Sequence, residues 1–112
     1  MNFRADLHVH SRFAYATSPN TNLTTMATWA ALKGVHVLGT GDFTHPEWLR
    51  EISKHLTPAE PGLFRLKRQF QEQANLPPTC WQPTRFILQV EVSTVYRKND
   101  RTRKVYHCIY VP

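Results

Sequence analysis

A chain of 112 residues has room for one small domain with a single core. Hydrophobic residues make up 41% of it, which excludes a disordered tail. No apolar run approaches a membrane span, and no signal-peptide core follows the first charges, so a cytoplasmic protein with no membrane partner is expected. The formal charge of +6 and pI near 9.8 favour polyanionic partners, nucleic acid first. Cys80 and Cys108 suit neither a disulfide scaffold nor a zinc ribbon, and read as ordinary thiols of a reducing compartment.

In chain order, residues 3 to 10 read as a first strand, with Asp6, His8 and His10 on one face and Leu7 and Val9 on the other. A loop rich in Ser, Thr, Asn and Pro follows over residues 11 to 22. Leu23, Met26, Ala27 and Ala30 recur at helical spacing and predict a helix over residues 23 to 33. Asn22 or Thr24 would cap it and Gly34 would end it. Val35 to Thr40 reads as a strand running into Gly39-Thr40-Gly41-Asp42. Thr44 is the expected cap of a second helix reaching His55, with Pro46 in its first turn. Leu63 to Ala74 fits either helix or extended chain, and prolines make residues 75 to 84 a connector. The run from Phe86 to Ser93 is a strand, residues 97 to 103 a basic turn, and Lys104 to Val111 a final strand, the last two forming a hairpin. Alternating strands and helices predict an α/β fold with parallel pairing at its start.

Groups able to bind metal recur near strand ends: His8 and His10, then Asp42, then Glu91, with His107 inside the last strand. Two imidazoles two residues apart on one strand face can grip one divalent ion, and a carboxylate can orient such a ring through its second nitrogen. Glu91 interrupts an apolar strand and needs a partner, which a metal, a salt bridge or an outward position would supply. His107 between Tyr106 and Cys108 fits a hydrogen-bonded core histidine as well as a ligand. In parallel α/β folds, strand ends of this kind gather at one face, where sites are built.

Asp6-Leu7-His8-Val9-His10-Ser11 resembles the first motif of the polymerase and histidinol phosphatase (PHP) family. Gly39-Thr40-Gly41-Asp42 resembles its second motif, Gln89-Val90-Glu91 its third, and Val105-Tyr106-His107 a later histidine strand. Asp42-Phe43-Thr44-His45-Pro46-Glu47-Trp48-Leu49 is similar to the endonuclease Q branch, whose members are often labelled helicase-associated. Phe13, Ala14, Ala16, Thr17, Ser18 and the run Pro61-Gly62-Leu63-Phe64 share that likeness. The resemblance implies a distorted, TIM-like β/α barrel with two or three divalent ions (zinc, manganese or iron) at its mouth. It implies that His8 and His10 hold the first ion, Glu91 bridges two, His107 binds the second, and Asp42 belongs to the set. Phe43 stands where many relatives carry histidine, so His45 is the candidate replacement; it equally suits a solvated helix start. His36 and His55 match no motif. A PHP barrel needs roughly twice this length, so residues 1 to 112 are expected to be a partial, C-terminally truncated domain.

The implied activity is that of an endonuclease nicking DNA beside deaminated bases such as uracil and hypoxanthine. Metal-activated water would be the nucleophile, and no protein nucleophile is needed. Arg97, Lys98, Arg101, Arg103 and Lys104 would contact DNA phosphates, or else form a solvated hairpin tip. Trp29 and Trp48 fall in amphipathic helices and are expected in the core, although a tryptophan, Trp81 included, can also stack on a flipped base. Two other functions fit the same residues: a small-molecule phosphatase of the same superfamily, and a catalytically inactive nucleic-acid-binding module.

Overall fold

The computed structural model describes residues 2–14, 18–71 and 84–112. Cys80, Trp81, Ala16, Thr17 and most of the proline-rich connector therefore lie outside the described residues. The elements run β1 (Ala5–Asp6), α1 (Leu23–Lys33), β2 (Val37–Gly39), α2 (Pro46–His55), β3 (Leu56–Pro58), β4 (Phe64–Leu66), α3 (Arg68–Gln71), β5 (Arg85–Lys98) and β6 (Arg101–Val111). The strands form one mixed, six-stranded sheet in the order β1-β2-β5-β4-β3, with β6 paired to β5. The parallel pairs are β1 with β2 and β2 with β5, and the rest are antiparallel. The sheet is open: the described strands do not close the expected barrel.

Helix α1 follows its sequence closely. Asn22 caps it, its side-chain oxygen accepting the Thr25 N–H at 2.8 Å, and Gly34 ends it at φ 72°. Leu23, Met26, Ala27 and Ala30 are buried as one stripe. Helix α2 is capped by His45 rather than Thr44. Pro46 at the first helical position restricts the residue before it to extended backbone, which is the conformation an N-cap needs. Trp48 and Ile52, one turn apart on α2, reach the same core, where they meet Leu38, Leu56, Leu66 and Phe86. Trp29 instead lies outside that core, with the Lys33 ammonium 5.7 Å from its ring centroid.

Three further expectations change. The first strand shrinks to Ala5–Asp6, because β2 pairs with only those two residues. Residues 8 to 11 leave the ladder, and the N–H groups of His8, Val9 and Ser11 turn to side chains. The stretch after α2 forms an antiparallel pair, β3 with β4, that its prolines concealed, and Pro58 sits at the end of β3. The basic turn contracts to Asn99 and Asp100, both at positive φ (52° and 59°), so the hairpin strands reach Lys98 and Arg101.

Candidate metal centre

The sheet has a core face and a site face. Leu38, Phe86, Leu88 and Val90 alternate onto the first, and Gly39, Gln89 and Glu91 onto the second. The loop carrying His8 and His10 lies across the site face. The two rings sit 5.5 Å apart, centroid to centroid. His8 Nε2 pairs with Glu91 Oε2, and His10 Nε2 lies 3.4 Å from the same oxygen. On the other side of the His10 ring, Nδ1 is 3.5 Å from Asp42 Oδ1. Glu91 and Asp42 are mostly covered, at 15% and 18% side-chain exposure, whereas His8 at 59% opens to solvent.

His8, His10 and Glu91 each offer an atom within 4.8 Å of the other two, and they are the group of this kind found among the described residues. Two imidazoles and a carboxylate suit zinc, manganese or iron. Ligand atoms about 2.1 Å from one ion lie roughly 3.0–3.4 Å apart, so the separation of His10 from Glu91 fits a shared ion. Asp42 stands on the far side of the His10 ring from Glu91.

The other expected residues are placed elsewhere. His107 pairs with Val92, whereas Glu91 pairs with Cys108, so His107 is on the opposite face of the hairpin from Glu91 and is not brought to the cluster. His45 stacks on Phe13 at 4.2 Å, with its Nδ1 buried and without a hydrogen-bond partner in the described structure. The basic residues divide between the two hairpin faces. Arg97 and Lys104 share the face of Glu91, and Lys98, Arg101 and Arg103 take the other.

The Gly-Thr-Gly-Asp turn fits its role closely. A Cβ on Gly39 would come 2.7 Å from Gln89 Oε1, and one on Gly41 would come 2.5 Å from the Val9 carbonyl oxygen. Gly41 and Asp42 both hold positive φ (67° and 44°), a conformation glycine adopts freely and aspartate tolerates. The Trp48 indole N–H donates to the carbonyls of Thr40 (3.1 Å) and Gly41 (2.8 Å), locking the turn to α2. Asp42 Oδ2 accepts from the Ser11 N–H (2.8 Å) and hydroxyl (2.7 Å). Sequence reasoning noted Gln89 only as part of the run Gln89-Val90-Glu91 and gave it no role of its own, yet it is wholly buried. Its signal was available: a polar residue two positions before Glu91, on the same face of an apolar strand.

These features define a mixed α/β domain with a histidine–carboxylate cluster at the ends of its parallel strands. Two solved structures share the fold of most of this chain. The lesion-specific endonuclease PfuEndoQ from Pyrococcus furiosus superposes with a TM-score of 0.62 and 31% identity, covering 80% of this chain and 18% of that one. Endonuclease Q in complex with a 27-mer duplex substrate, with an abasic lesion at its active site, gives 0.60 and 32%, covering 78% and 18%. Over 50 residues the chain is also 46% identical to an uncharacterized protein of Methanocaldococcus jannaschii, a match to 45% of this chain and 6% of that protein. The chain thus spans under a fifth of each of these proteins. No family model matches it. Among the described residues, no helix is long and apolar enough to cross a membrane.

Proposed function

We propose that this chain supplies part of the metal centre of a DNA endonuclease that nicks beside deaminated bases such as uracil and hypoxanthine. The gathering of His8, His10 and Glu91 on one sheet face carries the reading. Its support is the likeness to endonuclease Q at 31% and 32% identity, one of those structures having been solved on lesion-bearing duplex DNA. His8, His10 and Glu91 would hold a divalent ion, and Asp42 would orient His10. When bound, such an ion activates water and stabilises the charge that develops on a phosphodiester. A second ion, as the PHP resemblance implies, needs ligands beyond these three. The same resemblance makes the open sheet part of a β/α barrel in a longer chain. Of the basic hairpin residues, Arg97 and Lys104, which share the face of Glu91, are the proposed phosphate contacts.

The test pairs elemental analysis with a nicking assay, using the purified chain and the His8→Ala/His10→Ala variant. The expected result is about one divalent ion per chain, lost in the variant; nicking of uracil-containing duplex, with no release of phosphate from a free monoester, is expected once the chain is joined to the ligands that a second ion needs, and is lost there with the same two substitutions. A folded chain that takes up no metal overturns the reading. Monoester hydrolysis without nicking replaces it with a small-molecule phosphatase.

A further inference from the structure

The loop that carries the two histidines is fastened to the frame at alternate residues, and each fastener comes from a different element. The Tyr110 hydroxyl, on β6, donates to the Leu7 carbonyl at 2.7 Å. The Val9 N–H donates to Gln89 Oε1, on β5, at 3.1 Å. Ser11 donates twice to Asp42, in the turn between β2 and α2. The residues between these anchors are His8 and His10. Gln89 and Tyr110 are direct cross-strand partners, and Glu91 lies two residues beyond Gln89 on the same face. One patch of the β5–β6 ladder therefore carries both the carboxylate that meets the imidazoles and two of the anchors that set where the imidazoles stand.

Core packing gives no reason for an amide at position 89. Gln89 is fully buried, its Nε2 has no hydrogen-bond partner in the described structure, and Gly39 must lack a side chain to leave it room. An apolar residue would avoid that desolvation cost. What the amide provides is an acceptor for the one N–H between the two histidines.

We infer that Gln89 and Tyr110 are positioning residues that pre-set His8 and His10 against Glu91 for metal capture. The inference rests on the metal reading above. Its test uses Gln89→Met, which keeps the volume and removes the acceptor, and Tyr110→Phe, which removes only a hydroxyl. Zinc affinity is read by chelator competition, site geometry by the visible absorption of the cobalt-loaded chain, and fold by thermal unfolding. Each variant should bind zinc about tenfold more weakly and shift the cobalt bands, and Tyr110→Phe should unfold as the parent does. Unchanged affinity and cobalt spectra in a folded Tyr110→Phe overturn the inference and leave the metal reading standing. A parent chain that takes up neither ion overturns the metal reading itself.

Discussion

His55 shows how a single side chain ties this fold to pH. Its Nδ1 lies 2.9 Å from the Glu51 carbonyl oxygen and its ring rests 4.3 Å from that of Phe70. Burial lowers its pKa from the ordinary 6.5, and the positive charges of Lys54, Lys67 and Arg12 lower it further. The unfolded chain therefore binds the proton more readily than the folded one. The stability this group contributes is present above about pH 6.5 and lost as pH falls through the folded value. The expected outcome is a thermal midpoint that drops on acidification below that point, with a shallower drop in His55→Asn. An equal slope in the two proteins would show that His55 does not carry the effect. At this scale the sequence was informative where chemistry is local. His8 and His10 stood out because their spacing is visible along the chain, and Glu91 because a charge breaks an apolar run. The placement of Asp42 beside His10, and of the Tyr110 hydroxyl on the Leu7 carbonyl, joins residues 32 and 103 positions apart, which no local pattern encodes.

Among the elements, α1 was readable from its cap, its stripe and its terminal glycine, since all three act within the helix itself. The β3–β4 pair was not, because two three-residue strands carry too little alternation to register and owe their existence to tertiary pairing. The β5–β6 hairpin was legible as a hairpin, but its register was not, and register decides what its charges can do. Arg97 is six residues beyond Glu91, about 20 Å along an extended strand, and it keeps the same face. Lys104 shares that face, with its ammonium 5.1 Å from the Tyr106 ring centroid. If DNA approaches the metal centre along this face, Arg97→Ala/Lys104→Ala should weaken duplex binding and reduce its salt slope by about two. Lys98→Ala/Arg103→Ala removes the same charge from the other face and should do markedly less. Equal losses in the two double variants, measured by titration at several salt concentrations, would mean that charge alone and not the face governs binding.

For the molecule as a whole, the hairpin dominates the shape. The radius of gyration is 15.7 Å and the extents are 57 × 33 × 26 Å. A compact domain of this length would have a radius of about 13 Å. The long β5–β6 ribbon leaves Val92, Val95, Tyr96, Val105, Tyr106 and Ile109 exposed, and β6 pairs only with β5 among the described strands. A long free edge beside exposed apolar side chains is a template for another strand. The net charge of +6 opposes association, but arginine and lysine crowd near the hairpin tip, while Val105 and Ile109 lie nearer its base. The chain should therefore self-associate through this ribbon, reversibly, and more strongly as salt screens the repulsion. Val105→Lys and Ile109→Lys lie on the face away from Glu91, so together they should restore a monomer without changing zinc uptake. Sedimentation velocity at about 10 and 100 µM, in low and high salt, reads the result directly. A parent chain that stays monomeric throughout would show that the ribbon's charges are sufficient to keep its edge unpaired. Loss of zinc in the double variant would show that the two hairpin faces are mechanically coupled.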